Sequence, residues 1–317
     1  MQYRNLGRSG LRVSTVGLGG NNFGGRLNAN DTLAVVHKAL DLGVTFFDTA
    51  DTYGRRGGGE QGASESYLGA ALGARRKEIV LATKFGHPMD SEGKLKGASR
   101  SYMFKAIEES LKRLKTDWID LYLMHSPDPL TPIEETMEAF DDLVRQGKVR
   151  YVGCSSTPAW GMIDANWTAR TSHWSTFAAC EDEYSLVNRS AEVELIPAAV
   201  AHGIGLLPYY PLASGLLSGK YTPGTPPPAG SRFAKPERFE TRFQSELVSQ
   251  RVEALREFAS RNGRTLLNLA ISWLAAQPVV GSVIAGATSP TQIEANVQAA
   301  NWALTAEDLS EIDRITR

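Results

Sequence analysis

Eight short apolar runs alternate with longer amphipathic stretches along almost the whole chain, and that rhythm leaves few folds open. The runs are TVGLGG (15–20), VTFFDTA (44–50), IVLATKF (79–85), IDLYLMH (119–125), VRYVGCSS (149–156), FAACEDEY (177–184), GIGLLPYYP (203–211) and VVGSVIAGA (279–287). Runs this short and this rich in branched and aromatic residues read as strands covered on both faces. Between them lie helical patterns. NDTLAVVHKALDLG (30–43) opens on a capping residue, Asn30, and closes on Gly43. SESYLGAAL, SRSYMFKAIEESLKRL, PIEETMEAFDDLVRQG, PAWGMIDANWTA, RSAEVELIPAAVAHG, ELVSQRVEALREFASRNG and SPTQIEANVQAA follow, with apolar spacing such as Met103, Ile107, Leu111 and Leu114. Strand–helix units with short links give a parallel sheet, and eight strands are the number that closes a barrel. The expectation is α/β: a (β/α)8 TIM barrel, with residues 1–317 as one domain. A doubly wound open sheet is the alternative. It uses fewer strands and a phosphate loop after the first, and that loop is absent.

Three segments stand outside the repeat. Residues 3–14 read as an N-terminal β-hairpin turning at Ser9–Gly10. Residues 212–248 form a long loop after strand 7, rich in Gly and Pro, whose length marks it as functional. Residues 305–316 read as an extra C-terminal helix capped by Thr305, with Asp308 in its first turn. A length of 317 residues suits one barrel. The formal charge of −1 offers no basic surface for nucleic acid or an anionic membrane. No apolar run reaches the ~20 residues of a membrane span, and the first ten residues carry no signal-peptide core. Cys154 and Cys180 are the two cysteines, too few for a disulfide framework and too far apart for a zinc knuckle. These features point to the cytoplasm and to no metal; the pattern leaves the oligomeric state open.

In a barrel of this kind the chemistry sits at the carboxyl ends of the strands. The polar residues there are Asp48, with Tyr53 in the loop beyond it, then Lys84, His125, Ser155 and Ser156, Glu181, and Tyr209. Singly, each has an ordinary reading: a turn cap, a surface lysine, a core histidine. Together they make a proton-transfer site. A phenol with a pKa of ~10 is a poor acid at neutral pH. A neighbouring ammonium stabilises its anion, an aspartate orients the ammonium, and a histidine holds a substrate oxygen. Such a tyrosine can protonate a carbonyl oxygen as hydride reaches its carbon.

In type, order and spacing, Asp48, Tyr53, Lys84 and His125 resemble the catalytic tetrad of the aldo-keto reductases. The resemblance runs through GLGG, DTADTYG, ATKFG, LYLMHSPD, Gly147–Lys148, EYSLVNR, PYYPLASGLLSGKY and GATSPTQIEAN. It implies that Tyr53 is the general acid/base, that Lys84 lowers its pKa, that Asp48 supports Lys84, and that His125 polarises the carbonyl. It also implies a nicotinamide dinucleotide held across the barrel mouth without a Rossmann fold. Gly20, Asn21 and Asp48 would meet it on one side. Ser155, Ser156 and Glu181 would hold the carboxamide, and Tyr209 the nicotinamide face. Pro211, Leu212, Ala213, Gly215, Leu217 and Lys220 would wrap the pyrophosphate. Gly286, Thr288, Gln292 and Asn296 would hold the adenosine half.

The chain departs from the family in places. Many relatives carry Ser-Asn and Gln where this chain has Ser155, Ser156 and Glu181. Ser156 is shorter and leaves room for water. An ionised Glu181 would accept hydrogen bonds, donate none, and favour the positively charged, oxidised nicotinamide. Basic residues after strand 8 are missing. Lys220 and Arg232 instead match the branch resembling voltage-gated potassium channel β subunits, which implies NADP(H), with NAD(H) as the alternative. Asn21 and Asn22 give the pocket a polar rim suited to a small oxo or sugar-like substrate. Arg55 and Arg56 read as solvated, with an anionic substrate as the other use. GGGEQG (57–62) reads as a flexible loop, not a phosphate site.

The implied activity is an NADP(H)-dependent oxidoreductase interconverting aldehydes or ketones with alcohols. The alternatives are an NAD-dependent sugar or polyol dehydrogenase, and a cofactor-sensing regulatory subunit.

Overall fold

The computed structural model describes the chain except for Arg56 and Gly57, residues 222–224, Gly230 and residues 235–244, together with the side chain of Arg232. Strands β1 (Tyr3–Asn5) and β2 (Arg12–Ser14) form the N-terminal hairpin, with Tyr3 opposite Ser14 and Asn5 opposite Arg12. Its tight turn is at Gly7–Arg8, not at Ser9–Gly10: the Ser9 N–H donates to the Leu6 carbonyl at 3.2 Å, and Gly7 has φ 57°. Glycine takes that left-handed conformation without a Cβ clash. Ser9 braces the turn from outside, its hydroxyl donating to the Leu6 carbonyl at 2.6 Å and accepting from the Leu11 N–H at 3.2 Å.

The eight apolar runs become β3 (Val16–Gly19), β4 (Phe46–Asp48), β5 (Val80–Phe85), β6 (Ile119–Met124), β7 (Val149–Ser155), β8 (Phe177–Glu183), β9 (Gly205–Tyr209) and β10 (Val283–Gly286). All are parallel to their neighbours, in the order β10-β3-β4-β5-β6-β7-β8-β9. The ends nearly close on each other. Leu206 in β9 bridges Val280, donating to the Val279 carbonyl at 2.8 Å and accepting from the Gly281 N–H at 2.9 Å. This is a (β/α)8 barrel, not an open doubly wound sheet.

The helices are α1 (Ala29–Asp41), α2 (Ala63–Leu72), α3 (Arg100–Leu114), α4 (Ile133–Arg145), α5 (Ala159–Thr171), α6 (Leu195–His202), α7 (Glu246–Arg261), α8 (Leu266–Ala276), α9 (Pro290–Ala299) and α10 (Ala306–Thr316). The cap of α1 is Asn28, two residues before Asn30, and its side chain accepts from the Asp31 N–H. Thr305 and Asp308 form a reciprocal capping box at the start of α10. Helix α8 is absent from the sequence reading. Its Leu266, Leu269, Ala270, Ile271, Trp273 and Leu274 are all buried, so it shows little polar face to contrast with an apolar one. The excursion after β9 contains a short 3-10 turn at Ala213–Ser218 before α7. Among the described residues no helix is long and apolar enough to cross a membrane.

Two layers of core follow from the two-residue period of a strand. Outward side chains such as Phe47, Leu81, Tyr122, Val152, Leu206 and Val283 pack under the helices. Inward ones, Phe46, Ala82, Leu121, Leu123, Ala179, Leu207 and Ile284, fill the barrel with Leu6, Leu11 and Val13 from the hairpin segment. Leu6 is the floor plug. A Cβ on Gly205 or Gly281 would lie 2.6 or 2.3 Å from Leu6 Cδ1, so glycine is what lets the plug seat. Cys154 and Cys180 are register partners on β7 and β8, both reduced and buried in the outer layer.

Candidate active site

Two residues beyond the inward apolar layer, six of the eight strands each lead to a different kind of group. Phe46 is followed by Asp48, Ala82 by Lys84, Leu123 by His125, Ala179 by Glu181, Leu207 by Tyr209 and Ile284 by Gly286. Strand periodicity puts these on one interior layer at the barrel mouth. The ladder extends to His125, whose N–H donates to the Phe85 carbonyl at 2.8 Å.

Lys84 is the hub. It has no solvent exposure, and Asp48 and Glu181 are 3% and 2% exposed, so its charge is carried by protein groups rather than by water. Its Nζ donates to Asp48 Oδ1 at 2.5 Å, to the Thr49 carbonyl at 3.1 Å and to Tyr53 Oη at 3.4 Å. Glu181 Oε2 also lies 3.2 Å from Nζ but receives no hydrogen bond. The Tyr53 and His125 rings meet edge to face with centroids 5.8 Å apart, and His87 tilts against His125 at 4.1 Å. Asp48, Tyr53, Lys84 and His125 are therefore brought together. Asp48 is fixed from behind, its carbonyl accepting from the Gly20 N–H at 2.7 Å.

Burial disfavours the lysine's charge, but Asp48 and Glu181 outweigh it and hold Lys84 above its ordinary pKa. Lys84 acts on Tyr53 in the expected direction but does not set its net position. Burial, joined by the negative charges of Asp48 and Glu181, raises its pKa above the ordinary phenol value, although Lys84 pulls it down. Tyr53 is thus held protonated at neutral pH. Burial and the nearby Asp48 push the Glu181 carboxyl up to about 8 against the pull of Lys84, which favours its neutral form over the ionised one considered from the sequence.

Among the residues expected to hold a cofactor, Ser155 is buried at the end of β7, while Ser156 is exposed in a left-handed conformation, φ 51°. Ser156 Oγ lies 3.3 Å from the hydroxyl of Tyr209, a half-buried ring packed edge-on against Tyr210. Tyr210, Ala213 and Ser214 are left-handed as well, with φ 51°, 46° and 58°. Non-glycine residues pay about 1–3 kcal/mol each for such geometry, and it clusters at ligand clamps. Pro211, Ala213 and Leu217 are buried, Leu212 and Gly215 half-buried. Lys220 is exposed, with its ammonium 5.1 Å from the Tyr221 ring centroid. The Arg232 side chain, Arg56 and Gly57 lie outside the described residues; Arg55 is exposed.

Gly286 stands at the end of β10 beside Gly19, close to Asn21 and Asn22. Asn21 is exposed, but Asn22 is 5% exposed and does not form a polar rim. The Gln292 side chain accepts from both the N–H and the hydroxyl of Thr288, and Ser289 caps α9. Asn296 is buried on α9.

The sequence reading missed three features. His87, three residues after Lys84, carries no signal of its contact with His125. The Thr49 carbonyl is invisible in a side-chain pattern. Arg256 on α7 donates to the carbonyls of Gly219 and Tyr221 at 3.3 and 2.8 Å, clamping the backbone on both sides of Lys220.

The aldo/keto reductase family model matches residues 15–317. Of Bacillus subtilis, uncharacterized oxidoreductase YrpG is 36% identical, covering 99% of this chain and 96% of its own length. A probable voltage-gated potassium channel subunit beta of Arabidopsis thaliana is 38% identical over 94% of this chain and 91% of its own. L-glyceraldehyde 3-phosphate reductase of Escherichia coli K12 is 33% identical over 99% and 92%. With a family match over nearly the whole chain and a barrel mouth built around a buried lysine, aspartate and tyrosine, this chain belongs to the aldo/keto reductase family and is an oxidoreductase of that family.

Proposed function

We propose that the chain, working as one unit from 1 to 317 in the cytoplasm, is an NADP(H)-dependent oxidoreductase that interconverts aldehydes or ketones with alcohols. The observation that carries this reading is Lys84 Nζ, bound to Asp48 Oδ1 at 2.5 Å and reaching Tyr53 Oη at 3.4 Å, with His125 against the phenol ring.

The groups at the mouth fit a nicotinamide dinucleotide by chemistry. Tyr209 offers a half-buried flat face, Ser155 and Ser156 hydroxyls, Lys220 an exposed cation, and Ser289–Pro290 a helix N-terminus suited to phosphate. The strained backbone at Tyr210, Ala213 and Ser214 supports a clamp there. Gly20, Asn21, Pro211, Leu212, Gly215 and Leu217 would line the same path, and Gly286, Thr288, Gln292 and Asn296 the adenosine end. When bound, the cofactor supplies or accepts the hydride.

Tyr53 holds the proton that a carbonyl oxygen needs on reduction, and its raised proton affinity suits a group that enters the reaction protonated. As the phenol gives up its proton, the Lys84 ammonium stabilises the oxygen left behind. Asp48 and the Thr49 carbonyl fix the ammonium so that it cannot turn away. His125 directs the substrate oxygen towards Tyr53. Lys220 and Arg232 are assigned to the 2′-phosphate and pyrophosphate, which selects NADP(H) over NAD(H).

The reductase relative from Escherichia coli supports a small oxo substrate. The channel-subunit relative from Arabidopsis supports the rival, a cofactor-sensing subunit with slow chemistry. Turnover against a panel of small aldehydes, with NADPH and NADH binding followed by fluorescence, separates the readings. Rapid NADPH-linked reduction supports the enzyme. Tight NADPH binding with negligible turnover on every aldehyde would favour the sensor, and preference for NADH with polyol oxidation would favour the dehydrogenase.

A further inference from the structure

The Lys84 ammonium has three hydrogens and four oxygens within 3.4 Å: Asp48 Oδ1, the Thr49 carbonyl, Tyr53 Oη and Glu181 Oε2. Three of them receive hydrogen bonds. The fourth, Glu181 Oε2, is completely buried and receives none. A buried carboxyl oxygen left over beside an ammonium is a competitor for its weakest bond, and the weakest of the three is the 3.4 Å bond to Tyr53.

Resting on the reading of Tyr53 as proton donor, we propose that Glu181 is a positioning residue that controls the Lys84–Tyr53 contact through its own protonation. With its proton on, Glu181 hydrogen-bonds Asp48 and leaves the third lysine hydrogen to Tyr53. With its proton off, Glu181 takes that hydrogen, and adds a negative charge beside the phenol.

The surroundings support this arrangement. Glu181 is on β8, across the barrel interior from Asp48 on β4 and Lys84 on β5, with Tyr53 beyond β4. Tyr209 at the end of β9 also feels its charge, and so does Cys180 on its own strand, while its register partners Ser155 and Leu207 carry no charge. His125 shares the layer beyond β6. One cation thus faces two carboxyl groups in a site closed to water, so one carboxyl keeps a proton. Burial raises both carboxyls, and Asp48 makes the closer contact with the ammonium, 2.5 Å against 3.2 Å for Glu181, which favours the retained proton on Glu181. The sign follows. A carboxyl whose midpoint is raised to about 8 is neutral through the physiological range and ionises above it. Ionisation raises the proton affinity of Tyr53, since Glu181 is one of the charges that pushes it up. Carbonyl reduction should therefore fall as Glu181 ionises.

The test begins on the cofactor-free protein. Infrared difference spectra between about pH 6 and about pH 10 should show a carboxylic-acid C=O band in the parent that Glu181→Gln removes. In the same cofactor-free state, the Tyr53 ionisation midpoint is read from tyrosinate absorbance relative to Tyr53→Phe. It should fall in Glu181→Gln by about one pH unit, a tenfold change in proton affinity. In the loaded enzyme, kcat for aldehyde reduction should drop roughly tenfold across the Glu181 titration in the parent, and Glu181→Gln should lack that step. Absence of the band, or an unmoved tyrosine midpoint together with superimposable pH profiles, overturns the proposal. No turnover on any aldehyde would sink the reductase reading instead, and the two cofactor-free measurements would still decide the role of Glu181.

Discussion

At the amino-terminal end of the barrel, Leu6, Leu11 and Val13 press into Phe46, Ala82, Ala179, Leu207 and Ile284 as one apolar cluster. Two residues further along the same strands, at the carboxyl end, Lys84 sits fully buried between Asp48 and Glu181. The floor is apolar and sealed by a plug. Burying the plug recovers free energy in proportion to area. The mouth spends some of it: an ammonium and two carboxyl groups are desolvated, and Ser156, Tyr210, Ala213 and Ser214 are held in left-handed conformations. Stability and chemistry are thus separated along the strand axis. Mutations at the floor should therefore change folding alone, and mutations at the mouth should change turnover or ligand binding with little cost to folding.

The largest effect should come from Tyr53→Phe. The ring and its contact with His125 stay, and the proton goes. A general acid contributes about 10²–10⁴-fold, so aldehyde reduction should fall by that range while the dissociation constant for NADPH and the unfolding midpoint hold. Near-parental turnover would remove the proton role from this end of the barrel.

Leu6→Ala is the counterpart at the floor. Truncating a buried leucine that cannot be replaced by collapse costs about 2–5 kcal/mol. Chemical denaturation should show that loss, and kcat and the NADPH dissociation constant should stay near parental. A variant that kept its stability but lost cofactor affinity would mean that floor and mouth are coupled through the barrel interior.

The comparison also explains what could be read before folding. All eight strands were legible because a strand covered on both faces is one short apolar run, and the four clustered residues were legible because three of them end such runs and Tyr53 follows one of those in the next loop. Helix α8 was not, since its buried residues run all the way round it and cancel the periodic signal. The hairpin turn is harder to place, because Ser9–Gly10 carries turn residues while Gly7 takes the left-handed conformation. The identity of Glu181 was plain, but its partner was not. Lys84 lies on a strand that is not its neighbour in the sheet, and only closure of the barrel brings the two within 3.2 Å.

A smaller effect is expected where the mouth meets the long excursion. Losing a hydrogen bond to a charged group costs about 1.5–3 kcal/mol. Lys220→Ala and Arg232→Ala should each weaken NADPH by that amount and NADH much less, in fluorescence titrations. Equal weakening of both cofactors would take the 2′-phosphate away from these two residues and reopen the NAD(H) reading.

The smallest effect isolates how the mouth is held. Arg256 touches the backbone of Gly219 and Tyr221, not the predicted ligand path, and it is braced by Glu253 at 3.3 Å. Its two bonds fix the carbonyls on either side of Lys220, so its loss should let the lysine drift without removing its charge. Charge-assisted bonds to carbonyls hold the fold by about 1.5–3 kcal/mol each, and only a fraction of that reaches the cofactor through Lys220. Arg256→Ala should therefore weaken NADPH by roughly three- to tenfold, less than Lys220→Ala does. The double variant should be no weaker than Lys220→Ala alone, because a clamp on a missing cation has nothing left to position. Additive losses would show that Arg256 acts on the cofactor by its own charge. An unchanged dissociation constant would show that the strained turn at Tyr210–Gly215 fixes Lys220 unaided.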